Sequence, residues 1–174
     1  MILKCVILVM LVIVGLMVYA ATRPSAFTIQ RSIAIAAPME KIYPFISDLH
    51  NWPLWAPQDN EDPSMQRTFS GAPAGQGASS HWTGKGSGGS GEMTVTSSEP
   101  KAISIQVDWT RPFRLHNVND FTLQPDGNDT TVTWTMRGAN NYMLKLMSVF
   151  VSPDRMMGKH FEDGLKNLKA VAER

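Results

Sequence analysis

From Cys5 to Ala21 the chain carries no charged or strongly polar side chain, whereas most of the sequence after Arg23 alternates apolar and polar positions with the short periods of a soluble domain. At 1.5 Å rise per residue, this run with Ile2 and Leu3 makes a helix of roughly 25–28 Å, the short end of what crosses a hydrocarbon core. Residues 1–22 are therefore read as a single spanning anchor. The competing reading is a cleaved signal peptide, since Lys4 supplies a positive flank and Val18–Ala20 is a small-residue site. The apolar stretch exceeds the usual signal core of about 7–15 residues, which favours the anchor.

Beyond a linker at 23–26, the domain expected over 27–174 opens on an alternating segment, Phe27–Ala36, with Phe27, Ile29, Ile33 and Ile35 on one parity: a first strand. Pro38 then leads into Met39–Asp48, where Ile42, Phe45, Ile46 and Leu49 recur at helical spacing and Pro44 suggests a kink. A second short turn or helix is expected around Asn51–Ala56, with Trp52 and Trp55 as a hydrophobic plug. From Met65 to Ala139 the period shortens to two. Strands are predicted at Met65–Gly71, Ala78–Thr83, Glu92–Ser98, Ala102–Trp109, Leu115–Gln124 and Thr130–Gly138, separated by turns rich in Gly, Pro, Asn and Asp. The last is the clearest, because Val132, Trp134 and Met136 alternate with Thr131, Thr133, Thr135 and Arg137.

The chain closes in helix. Ser152 followed by Pro153 and Asp154 is an N-terminal signature, and Met157, Phe161, Leu165, Leu168 and Val171 recur from there at steps of three and four. Tyr142–Val151 is apolar enough for one more helix. It is expected to pack on the sheet, with a membrane surface as the alternative.

Composition narrows the chemistry more than it names it. Lys plus Arg number 16 against 15 Asp plus Glu, so no basic footprint for nucleic acid is present. The one cysteine, Cys5, lies in the apolar run, which leaves neither a disulfide nor a cysteine metal cluster to form. His50, His81, His116 and His160 lack ligand spacing, and no metal or cofactor is implied. Gly84–Gly89 fits G-x-G-x-x-G, yet a strand and not a helix comes after it, so it is read as a hairpin at a cavity mouth. Asp48, Asp108, Asp120 and Glu162 are scattered, and no serine sits in a nucleophile elbow; the catalytic residues are unknown. Asn128–Thr130 is a formal glycosylation sequon without a context that would use it.

The order strand, two short helices, six strands and a long closing helix resembles the START-like, Bet v 1-type SRPBCC superfamily, in particular its bacterial polyketide cyclase/dehydrase branch. The resemblance covers Phe27–Glu173 and rests on IAAPMEKIY at Ile35–Tyr43 and WPLWAP at Trp52–Pro57. It also rests on FSG at Phe69–Gly71 with Gly75 and Gly77, WTG at Trp82–Gly84, GSGEMTV at Gly89–Val95, TVTWTM at Thr131–Met136 with Gly138, and GKHFEDGLKNLK at Gly158–Lys169. It implies an α+β helix-grip fold, a curved antiparallel sheet wrapped round the long C-terminal helix, with a cavity between them for an apolar ligand.

Strand parity then nominates the lining. Asn117 and Asn119 share the parity of Phe121 and Leu123 and point two amides inward, either pairing within the wall or orienting a ligand. The expected ligand-binding set is Trp82, Trp109, Asn117, Asn119, Phe121, Trp134, Met136, Met157 and Phe161, and the expected function is a membrane-anchored module binding a lipid- or isoprenoid-like molecule. A polyketide cyclase/dehydratase-like enzyme is the alternative, and an interaction protein using the sheet exterior a third. Lys4 and the amino terminus nearly balance Arg23 and Arg31 across the anchor, and the short leader favours the domain on the exported, periplasmic side.

Overall fold

The computed structural model describes residues 2–57, 62–85 and 89–174. Its strands are β1 (Ala26–Ile35), β2 (Gln66–Gly71), β3 (Ala78–Thr83), β4 (Ser90–Glu99), β5 (Ala102–Arg111), β6 (Leu115–Asp126) and β7 (Asp129–Ala139). Helix α1 spans Ile2–Thr22, α2 spans Met39–Ser47, a 3-10 turn covers Leu49–Leu54, α3 spans Tyr142–Met147 and α4 spans Pro153–Ala172. The strands form one antiparallel sheet ordered β1-β7-β6-β5-β4-β3-β2. Chain order and sheet order agree from β2 to β7; β1 is displaced to the far edge, and α2 with the 3-10 turn carries the chain from one edge to the other.

Alternation sets the two faces of the sheet. On β5, Ile103, Ile105 and Val107 are buried, and on β7 Val132, Trp134 and Met136 are, while their neighbours in sequence are more exposed. Register shifts at Ser90/Gly91 and Val95/Ser97 interrupt the β4–β5 ladder, and such irregularities bend a strand pair and increase its twist. The concave face receives α4. Ser152 caps this helix by accepting from the Arg155 amide, and Pro153 occupies its first turn, where a missing N–H costs nothing. Leu165, Leu168 and Ala172 bury the C-terminal half of α4.

Aromatic rings fill the centre. Trp55 meets Phe121 and Trp134 edge-on at 6.2 and 5.7 Å, Phe121 stacks on Trp134 at 5.1 Å, and Trp134 lies 4.0 Å from Phe161 of α4. The indoles of Trp52 and Trp55 donate to the Ile46 and Phe45 carbonyls, so the end of α2 finds side-chain partners inside the core. Asn167 of α4 donates to the Trp55 carbonyl at 3.1 Å and ties the closing helix to the same plug.

Two expectations need correction. The apolar segment after β7 is helical only over Tyr142–Met147, and it docks on the end of α1: the Tyr142 hydroxyl donates to the Met17 carbonyl at 3.1 Å and Arg23 donates to the Ser148 carbonyl at 3.0 Å. The turn foreseen at Asn51–Ala56 begins two residues earlier, at Leu49, because Asp48 accepts from the His50 amide and starts it. The glycine loop falls partly on residues 86–88, outside the described residues. Helix α1 has 21 residues, and an 18-residue stretch of it has a mean hydropathy of 2.8, sufficient by length and composition to cross a membrane; a signal sequence has the same character.

Candidate functional site

The N-terminal half of α4 stands off the sheet, and beneath it lies a cavity of about 420 Å³. Its wall is built in rows across the strands. Met93, Val107 and Asn117 are successive register partners from β4 to β6, and Asn119 pairs with Met136 of β7. Met157, His160 and Phe161 descend from α4 on the other side. Trp82 and Trp109, edge-to-face at 5.0 Å, close the end toward β3. Gly91 sets that arrangement: a Cβ there would come within 2.6 Å of the Trp82 ring, so only glycine lets the indole lie across β4.

Eight of the nine residues nominated from sequence line this space: Trp82, Trp109, Asn117, Asn119, Trp134, Met136, Met157 and Phe161. Phe121 does not. It is fully buried beneath the wall, stacked on Trp134 and enclosed by Trp52 and Trp55, because the plug from the 3-10 turn reaches under the sheet at that level. Trp52, assigned to the plug alone, also reaches the lining, as do Met93, Val107 and His160.

The amides form a directed chain. An indole N–H is a donor only, so Trp134 fixes the orientation: its Nε1 donates to Asn119 Oδ1 at 2.8 Å, and Asn119 Nδ2 donates to Asn117 Oδ1 at 3.1 Å. The Asn117 carboxamide is left with its N–H₂ at the cavity, making no hydrogen bond among the described residues. At the end near α1, the Asn140 side chain donates to the Pro24 carbonyl, while its Oδ1 is buried without a partner among the described residues. The Asn117 amide and the Asn140 carboxamide oxygen thus border the cavity without partners among the described residues.

No carboxylate lines the cavity among the described residues; its ionisable groups are His116 and His160. His116 sits at the exposed rim, 2.7 Å from Asp108, its cross-strand partner. Hydrogen bonds from Gln106 and then His116 hold the Asp108 carboxyl below its ordinary value. No group of three or more potential metal ligands occurs among the described residues.

The lid over the cavity is latched from outside. Arg31 of β1 reaches Asp154 at 2.8 Å and Glu162 at 2.9 Å, bracketing the first turns of α4. Its guanidinium passes over Gly158, where a Cβ would lie 2.2 Å from a terminal nitrogen. These hydrogen bonds push the Arg31 pKa up and the Asp154 pKa down, so both stay charged.

A curved seven-stranded antiparallel sheet gripping a C-terminal helix over an internal cavity defines the Bet v 1-like, helix-grip fold. The sequence model of the family described as polyketide cyclase / dehydrase and lipid transport matches residues 26–173, and the chain belongs to that family. Among solved structures, the chain is similar to protein MLL2253 from Mesorhizobium loti (20% identity, 85% of this chain and 98% of that one, TM-score 0.62). It is also similar to the major latex-like protein 151 of Panax ginseng (12% identity, 86% and 99%, TM-score 0.63). A third is protein CV1439 from Chromobacterium violaceum (16% identity, 87% and 99%, TM-score 0.59). At these identities the likeness is one of fold. No curated protein matches the chain in sequence.

Proposed function

We propose that this protein is a membrane-anchored binding module that holds one lipid- or isoprenoid-like molecule in the cavity under α4. The observation that carries the reading is the cavity itself: about 420 Å³, walled by tryptophan, methionine and valine, with one free amide donor. That volume lies in the lower part of the roughly 300–1,000 Å³ range of small-molecule sites, which suits one chain or a compact ring system. Methionines at positions 93, 136, 156 and 157 give the lining an adaptable surface. The Asn117 amide favours a ligand that carries a carbonyl, ether or hydroxyl oxygen, since an apolar guest alone would leave that donor unmet.

Residues 1–22 serve as the anchor, 23–26 as the linker and 27–174 as the binding domain, which stands on the exported side. An alkaline phosphatase fused after Arg174 is expected to be active, and an inactive fusion reverses this orientation. For the ligand, native mass spectrometry of the full chain released from detergent is expected to show a small-molecule adduct. Adding that compound back at a hundredfold excess over its Kd should raise Tm by about 5–10 °C, from roughly 2.7 kcal/mol of binding linkage. No adduct, and no shift across fatty acids, polyprenols and quinones, sinks the proposal.

The enzymatic reading draws on the cyclase / dehydrase part of the family's description and on the His160 imidazole in the wall. The absence of any carboxylate from the described lining places binding ahead of catalysis, since proton transfer at neutral pH usually draws on paired or mutually tuned groups.

A further inference from the structure

Four large hydrophobic side chains line the cavity and are at the same time exposed: Phe113 from the β5–β6 connection, Met147 and Val151 from α3 and the segment after it, and Met156 from the start of α4. They mark the mouth. Beside them Phe150 is 71% exposed and Met143 56%, although neither serves the domain's own core. Apolar side chains gathered at one rim in this way identify a surface that meets something other than water.

The attachment of the rim to α1 indicates its partner. The Tyr142 hydroxyl donates to the carbonyl of Met17, five residues before the helix ends at Thr22, a depth of about 7–8 Å along the axis. Arg23 donates to Ser148 and lies over the Tyr19 ring, Lys145 donates to Ser25, and Ala20 is the one buried residue of α1 among those described. α3 therefore runs against the last turns of the helix, at the level where a spanning segment passes from hydrocarbon into headgroups. Amphipathic interfacial helices bury their apolar side by about 5–10 Å there, and tyrosine with arginine is the usual furnishing of that layer. Basic residues flank the rim along the chain: Arg114, Lys145 and Arg155 are sequence neighbours of the lining residues Phe113, Leu144 and Met156, Arg23 donates to Ser148, and Asp154 is paired with Arg31.

We infer that the cavity mouth rests on the surface of the bilayer that α1 crosses, with Met143, Met147 and Phe150 in the headgroup–acyl boundary, so that the ligand passes between membrane and cavity without entering bulk water. This rests on the reading of α1 as an anchor, and the test separates the two. The full chain carrying Cys5→Ala is given single cysteines in three variants, Met10→Cys, Phe150→Cys and Asn128→Cys. Each is labelled with bimane and reconstituted in phosphatidylethanolamine–phosphatidylglycerol vesicles containing nitroxide-labelled phosphatidylcholine. Asn128 lies in the β6–β7 turn, a whole strand away from the mouth.

Loss of most emission at position 150 to a shallow acyl-chain nitroxide, with little loss to aqueous iodide and the reverse pattern at 128, is the expected result. If position 10 is quenched by deep nitroxides while 150 behaves as 128 does, the anchor stands and the membrane-facing mouth is overturned. If neither 10 nor 150 is quenched by lipid, both fall. Quenching at 150 without quenching at 10 keeps the interfacial mouth and removes the anchor.

Discussion

Replacing Trp134 with alanine is expected to destabilise the protein by about 4 kcal/mol, lowering its melting temperature by about 8–15 °C. Trp134 is the ring on which the others converge: Phe121 stacks on one side, Phe161 of α4 lies 4.0 Å away on another, and Trp55 meets its edge. The truncation removes three ring contacts and widens the adjoining cavity, and it also strands Asn119 Oδ1. Trp134→Phe separates the two contributions. It keeps a ring in the stack while removing the donor and part of the indole's bulk, so the expected cost is smaller, about 1–3 kcal/mol, with the amide chain free to reverse. Melting of the full chain in detergent reads both variants. A loss below about 1 kcal/mol for the alanine variant would mean that the wall relaxes without its central indole, and the directed chain ending at Asn117 would lose its foundation.

The wall was legible in the sequence because alternation is a local property. Ala78–Thr83 is strand at the predicted residues, and β6 and β7 depart by at most two at either end, since turn residues at Pro125–Asp129 and strict parity leave little choice. Depth was not legible. Parity puts Asn119 and Phe121 on the same face, but only the 3-10 turn, some 70 residues earlier in the chain, decides that Phe121 is covered by Trp52 and Trp55 whereas Asn119 borders empty space. His160 shows the same gap. Its position on α4 beside Phe161 favours solvent or the core edge, whereas the residue lines the cavity, at a level set by where Arg31 holds the first turns of the helix.

The partner of α3 was hidden for another reason. Its composition, Tyr-Met-Leu-Lys-Leu-Met, satisfies a sheet, a membrane surface or a neighbouring helix, and the selecting interactions are a hydroxyl bond to a main-chain carbonyl and an arginine bonded to a serine. Neither leaves a pattern in a single sequence. Taken with the exposed rim, that docking gives the cavity a direction as well as a volume. The latched side of α4 lies against β1, and the open side adjoins the segment that is tied to α1.

If the cavity is the binding site, filling it removes binding while leaving the fold. Val107 is the position of choice, because its register partners Met93 and Asn117 flank it in the wall and its side chain borders the space. Val107→Trp places a ring where the ligand's body would lie, next to the free amide of Asn117. The expected outcome is at least a tenfold loss of affinity for the co-purifying compound, about 1.4 kcal/mol or more, read as disappearance of the ligand-induced rise in Tm. Without ligand the variant should melt within a few degrees of the native chain, since the added ring enters existing room. Val118→Trp is the matched control: one residue along from Asn117 on β6, it faces outward between Gln106 and Arg137, and a ring there should leave the ligand response unchanged. Should Val107→Trp retain full binding while folded, the guest occupies some other surface, and the rim at Phe113 and Met147 would be the next place to measure.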